Sequence, residues 1–199
     1  MKLDLGKTEL KINFSFAAAV TVMLILDRNG FCAVALFCCV VHELGHILCL
    51  LIFGEKPKLI ELSFYGIKLE RAFLPCGGTK EIAVYASGPL ANLLLSAFLF
   101  LLSSRFEGLY GAAVTSLCVG SFNLVPCRPL DGGNLIFAVL CRFTDEKTAN
   151  SICVVVKIII IVPMAFIGFS MLFGNGNFTL LAVAVYLVLA DVFDKRLTN

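Results

Sequence analysis

A long apolar run from Phe31 to Phe53 carries His42, Glu43 and His46 in its second half. The run is long enough for a membrane-crossing helix, which needs about 20 apolar residues. On a helix, residues four apart lie one above the other on the same face. The two imidazoles therefore sit side by side, with Glu43 one step round. Two imidazoles and a carboxylate are costly at membrane depth and mark a functional site. His42 and His46 are the 2 histidines of the whole chain. The pattern is H-E-x-x-H, in which two His bind zinc and the Glu is the general base of a metal hydrolase.

The rest of the chain suits such a setting. It is 59% hydrophobic and 15% charged, against about 25% charged in a soluble domain. Its 199 residues suggest one domain. The net charge of +2 gives no case for a nucleic-acid partner. The 9 cysteines are an odd number without a C-x-x-C pair. Most lie in apolar runs and read as small buried hydrophobes rather than a disulfide framework. Cys76 and Cys127 fall in polar connections and are more open to a role.

Taken in order, the chain predicts about six transmembrane helices in an all-α polytopic membrane protein. Residues 1–11 are polar and basic, and span one runs from about Ile12, or from Leu10, to Leu26. It resembles the apolar part of a signal peptide. However, Asp27-Arg-Asn-Gly30 follows without a small-x-small cleavage site, so the span is expected to stay. Span two is Phe31 to Phe53, closed by Gly54. Residues 58–70 partly alternate on both sides of Gly66 and predict a small β-hairpin-like insert. It could hold an unwound peptide by strand addition, or be a plain amphipathic connector. Pro75, Gly77 and Gly78 then give a loop. Span three, about Ile82 to Leu102, is interrupted at Ser87-Gly88-Pro89, where proline kinks or restarts the helix. Asn92 just beyond faces either a partner helix or the site. Span four, about Leu109 to Val125, leads into a Pro- and Gly-rich segment that ends at Asp131-Gly-Gly133. That segment cannot be regular helix throughout. Non-helical backbone at membrane depth survives where protein buries it or water reaches it. Residues 134–150 are a short amphipathic piece. Span five is about Ile152 to Phe173, Gly174–Asn177 is a turn, and span six is about Phe178 to Phe193 before a polar tail.

With six spans, one side carries fourteen of the 16 Lys and Arg, and the other has Arg28 and Arg105. This predicts both termini in the cytoplasm and puts the histidines toward the cytoplasmic half of span two.

A zinc hydrolase site takes three protein ligands and keeps a fourth position for water. No third histidine exists, so the third ligand is a carboxylate or a thiolate. Asp131 is the best candidate because its broken, Gly-flanked segment can bend toward span two. Asp191 and Cys127 are the rivals. Zinc lowers the pKa of its water to about 7. Glu43 would take the proton while an amide carbonyl is attacked, then pass it to the leaving amine. Asn123 could bond the substrate or the developing oxyanion, or equally tie the backbone of its own loop.

His42-Glu43-Leu44-Gly45-His46, the Gly88-Pro89-Leu-Ala-Asn92 segment and Asn123-Leu-Val-Pro-Cys-Arg-Pro-Leu-Asp131-Gly-Gly133 resemble the three signatures of site-2 proteases, the intramembrane zinc metalloproteases. Within that family the chain looks closest to the stage IV sporulation protein FB type. The resemblance implies zinc on His42, His46 and Asp131, Glu43 as catalytic base, and Asn123 as a motif partner. It implies a single membrane-embedded protease domain over residues 1–199 with a catalytic core at about 31–133. No PDZ-like insert and no CBS domain is seen in the chain, which leaves gating and a sporulation role open. The expected activity is hydrolysis of a peptide bond in or near a transmembrane segment of a membrane-protein substrate. The expected location is a bacterial cell membrane, with the lipid bilayer as surroundings. The rivals are an inactive homologue acting as a membrane-protein binding module, and a metal transporter. A transporter would want polar residues along several spans, and spans one, five and six offer almost none.

Overall fold

The computed structural model describes residues 2–4, 9–12, 14–55, 59–63, 66–70 and 76–198. The described chain begins with strands β1 (Lys2–Asp4) and β2 (Glu9–Ile12) and helices α1 (Phe14–Leu26) and α2 (Phe31–Ile52). Strands β3 (Leu59–Ser63) and β4 (Gly66–Glu70) follow. The remaining helices are α3 (Thr79–Ser103), α4 (Leu109–Asn123), α5 (Asp131–Cys141), α6 (Glu146–Asn175) and α7 (Thr179–Thr198). The chain divides into two compact units. One comprises residues 1–75 and 79–123, the other residues 76–78 and 124–199.

The first unit is built on α2, α3 and α4. The buried residues of α2 are Cys38, His42, His46 and Leu50, four positions apart on one stripe. Its exposed side carries Phe37, Val40, Leu44, Leu48 and Leu51. An apolar outer face, with the two imidazoles on the inner stripe, inverts the soluble pattern and suits a helix in lipid. On α3 the buried set again recurs every fourth residue, at Val84, Gly88, Asn92 and Ser96, with Pro89 alongside. Small residues on this stripe let backbones approach. A Cβ on Gly45 would lie 2.7 Å from the Ser87 carbonyl oxygen and 2.8 Å from Ala91 Cβ. Hydrogen bonds join α3 to α4, from Ser96 Oγ to the Ala113 carbonyl (2.8 Å) and from Ser116 Oγ to the Asn92 carbonyl (2.9 Å).

This unit also holds a four-stranded sheet in the order β1-β2-β3-β4. β3 and β4 pair antiparallel, with Leu59 opposite Glu70 and Ser63 opposite Gly66. β2 lies parallel to β3, pairing Glu9 with Leu59 and Ile12 with Leu62. The N-terminal residues expected as a polar lead-in thus form strands. Leu10 and Ile12 belong to β2 and do not lengthen span one. Lys58, Phe64, Tyr65 and Pro75 of the expected insert and loop lie outside the described residues.

In the second unit, α6 and α7 pack around Cys127, Leu130 and Leu187, with Ile161, Met164 and Val183 against them. Gly168 lets α7 come close, since a Cβ there would lie 2.6 Å from the Leu181 nitrogen. Lys157 Nζ donates to Asp191 Oδ2 at 2.6 Å, with both side chains mostly buried. Asp145 caps α6. Its carboxylate accepts from the Thr148 N–H at 3.0 Å and from Thr148 Oγ1 at 2.7 Å.

Several expectations need correction. Pro89 does not interrupt α3, which runs unbroken through it. In a membrane helix, neighbouring helices and hydroxyl side chains meet the freed backbone groups. Asp131 is not in irregular chain but is the first residue of α5. α4 stops at Asn123, α6 continues to Asn175 before Gly176 takes the left-handed turn (φ 68°), and the expected polar tail continues α7 as far as Thr198. Among the described residues, three helices are long and apolar enough to cross a membrane: Phe31–Ile52, Thr79–Ser103 and Glu146–Gly174. Phe16–Leu26, Asp131–Cys141 and Thr179–Asp191 are shorter apolar helices. The nine cysteines are free thiols.

Breaking a buried ion pair by removing one partner is costly, whereas apolar replacement of both is often neutral. Lys157→Met should therefore lower unfolding stability in detergent by about 3 kcal/mol. Adding Asp191→Leu should recover most of that loss. The Thr148 side-chain and backbone bonds hold the Asp145 carboxyl below the usual carboxylate range. Its contribution is complete above about pH 4 and is lost as pH falls through the lowered folded value. Hydrogen exchange at the Thr148 amide should rise in that window. Asp145→Asn should remove the pH dependence while keeping a cap.

Candidate metal centre

α2 places His42 and His46 on its buried stripe because the two are four residues apart. They are 5% and 2% exposed. Their rings meet edge to face, centroids 4.9 Å apart, and the two Nε2 atoms are 3.2 Å apart. Glu43, the next residue round the helix, is half-buried.

The surroundings of the pair come from α3. His46 Nδ1 lies 2.7 Å from the Val84 carbonyl oxygen. A carbonyl only accepts, so Nδ1 carries the proton and Nε2 keeps its lone pair. This is the tautomer a metal-binding histidine needs, with the second ring nitrogen held by an oxygen. Ser87 Oγ also donates to the Val84 carbonyl at 2.7 Å and lies 3.4 Å from His46 Nδ1. On the other ring, Asn92 Nδ2 is 3.4 Å from His42 Nδ1. Asn92 is fully buried.

Gly88 lies between these two contacts on the same stripe. A Cβ there would collide with His46 Nε2 and would come 2.8 Å from His42 Nε2. The glycine is therefore required by the imidazoles and not by its backbone angles. Asn92 and Gly88 belong to a segment visible in the sequence. The contact of Val84 could not be read there, because a backbone carbonyl leaves no mark on side-chain identity.

Asp131 belongs to the second unit. It opens α5, is half-buried, and lies in the first turn, where the helix dipole favours a carboxylate. The two glycines after it have a packing cause. A Cβ on Gly132 would run into the Leu124 carbonyl, and one on Gly133 into the backbone of Cys127 and Arg128. Residues 124–130 fold tightly over the start of the helix, with a cis peptide at Arg128–Pro129. The rival ligands are engaged elsewhere. Asp191 pairs with Lys157, and Cys127 is fully buried in the apolar cluster with Leu130 and Leu187. Asn123 ends α4, and its Nδ2 donates to the Val119 carbonyl at 2.9 Å. One of its two N–H groups therefore ties its own helix.

The donor set fits a divalent transition metal, since imidazole nitrogens suit zinc and its neighbours. Gly88→Ala should push the imidazoles apart and weaken metal binding at least about tenfold, as read by chelator competition. The helix content of the purified protein should be unchanged.

Residues 104–166 match the model of peptidase family M50. A zinc metalloprotease of Methanocaldococcus jannaschii is 27% identical over 207 residues, covering 93% of this chain and 54% of its own length. A Synechocystis protein named as a candidate zinc metalloprotease is 32% identical over 125 residues, 58% of this chain and 32% of its own length. The chain thus spans about half the length of the first of these relatives and about a third of the second. The solved structure of a site-2 protease from Methanocaldococcus jannaschii superposes with a TM-score of 0.68. It is 23% identical, and the match covers 96% of this chain and 92% of that one. With three helices of membrane-crossing length among its described residues, the chain is an integral membrane protein that is similar to peptidase family M50 over residues 104–166 and has the fold of a site-2 protease.

Proposed function

We propose that the chain is an intramembrane zinc metalloprotease that hydrolyses a peptide bond in or near a transmembrane segment of another membrane protein. The observation that carries this reading is the pair of buried imidazoles, with Nε2 atoms 3.2 Å apart on a helix of membrane-crossing length, beside Glu43. Burying such a group in lipid without a use is expensive. The names of the relatives support zinc as the ion.

His42, His46 and Asp131 are the residues we assign to hold the ion. When bound, zinc supplies Lewis acidity toward water and a carbonyl. The chain's own residues do the rest. Glu43 takes the proton of the attacking water and returns it to the leaving amine, general acid–base work worth typically 10²–10⁴ in rate. Asn123 can address the substrate carbonyl with the N–H of its amide that does not bond Val119. A substrate helix hides its carbonyls in its own hydrogen bonds, so it must unwind locally before cleavage. β4 is a sheet edge, and an extended stretch of substrate could add to it as a further strand. The two units act as one protease domain.

The reading extends to a six-span topology with both termini cytoplasmic, on the fourteen-to-two division of Lys and Arg. It also extends to a bacterial cell membrane and the stage IV sporulation protein FB type, on the three sequence signatures. The rival is an inactive homologue that binds membrane proteins. The intact His-Glu-His group speaks against it.

Purified protein, bound-zinc analysis and a membrane-embedded reporter test these assignments. Glu43→Gln should keep zinc and lose about 100-fold or more in cleavage. Asp131→Ala should lower bound zinc. Equal cleavage by wild type and Glu43→Gln would sink Glu43 as the base. Zinc absent from the wild type would sink the metal site, and full zinc in Asp131→Ala would remove Asp131 as a ligand.

A further inference from the structure

α3 faces the second ring nitrogen of each histidine with a different kind of group. For His46 the second ring nitrogen faces an oxygen, the Val84 carbonyl, at 2.7 Å. For His42 it faces an amide nitrogen, Asn92 Nδ2, at 3.4 Å. Asn92 Oδ1 is buried and, among the described residues, has no hydrogen-bond partner.

An amide nitrogen donates. If Nδ2 donates to His42 Nδ1, that ring carries its proton on Nε2, the atom that faces His46 Nε2 at 3.2 Å. A ring with a proton on Nε2 cannot offer that nitrogen to a cation. The oxygen and nitrogen ends of an asparagine amide have nearly the same size. A half-turn of the amide exchanges them without a steric cost. Oδ1 then accepts the Nδ1 proton of His42, and both Nε2 lone pairs converge, each with its far nitrogen bonded to an oxygen.

We propose that Asn92 is the positioning residue of His42. Its amide oxygen accepts the Nδ1 proton and holds the ring in the tautomer and orientation in which Nε2 binds the metal. This deepens the proposed function and rests on its assignment of His42 as a ligand. The fully buried location of Asn92 fits the role, because among the described residues its amide has no hydrogen-bond partner besides His42. Its backbone is pinned separately, through the Asn92 carbonyl that accepts from Ser116 Oγ. A side-chain substitution therefore leaves the α3–α4 hydrogen bond in place.

Zinc affinity of the full chain in detergent, by competition with a chelator, tests this without any substrate. Asn92→Leu keeps the side chain's shape and removes the acceptor, and Asn92→Asp keeps both shape and acceptor. The expectation is a loss of about 10- to 100-fold in zinc affinity for Asn92→Leu, with Asn92→Asp within a few-fold of wild type. A packing role would not separate the two in that direction. Wild-type affinity in a folded Asn92→Leu protein would overturn the proposal. So would an Asn92→Asp protein that binds as weakly as Asn92→Leu. His42→Ala tells the two levels apart. If it binds zinc as wild type does, His42 is not a ligand, and the metal site falls together with this inference. If it loses zinc while Asn92→Leu does not, the metal site stands and only the role of Asn92 falls.

Discussion

The close approach of α2 and α3 is the constraint from which the rest of the first unit follows. Two helices come near enough for a backbone carbonyl of one to reach an imidazole of the other only where side chains are small. Gly45 and Gly88 supply that space. Each would clash with the opposite helix, or with the histidines it carries, if it bore a Cβ. Lipid gives helices no hydrophobic reason to associate, so contact depends on tight packing and cross-helix hydrogen bonds. Here the polar groups that bind helix to helix are the same groups that hold the site. Val84 and Asn92 serve both ends.

The second unit solves a different problem. It carries a carboxylate at the start of a short helix, behind a loop with two prolines. Gly132 and Gly133 let that loop fold directly over the first turn of α5. The buried thiol of Cys127, packed with Leu130 and Leu187, anchors the loop to α7. The Lys157–Asp191 pair adds a charged tie between α6 and α7 in surroundings where each charge alone would be costly. Of the two residues that looked like rival ligands, Asp191 ties α7 to α6 and Cys127 holds the loop.

Much of the site was legible before any fold. The i, i+4 spacing of His42 and His46 requires one face of a helix. The absence of other histidines narrowed the third ligand to a carboxylate or thiol. Less legible was the course of the backbone near proline and glycine. Proline at position 89 reads as a break, yet α3 continues because a membrane helix with close neighbours can lose one hydrogen bond. The strands at Lys2–Asp4 and Glu9–Ile12 were not foreseen. Strand pairing depends on a partner distant in sequence, here β3, and the short polar segment shows no pattern of its own.

The sequence alone therefore determined the chemistry on offer: two imidazoles and a carboxylate on a helix too apolar for water. Covalent spacing and helical period are local properties, and they leave no alternative placement for those groups. Tertiary structure alone decided which nitrogen of His46 carries its proton, why position 88 bears no side chain, and that Asp191 and Cys127 are occupied elsewhere. Those outcomes depend on contacts across helices, where a carbonyl or a missing Cβ acts by position and not by residue type.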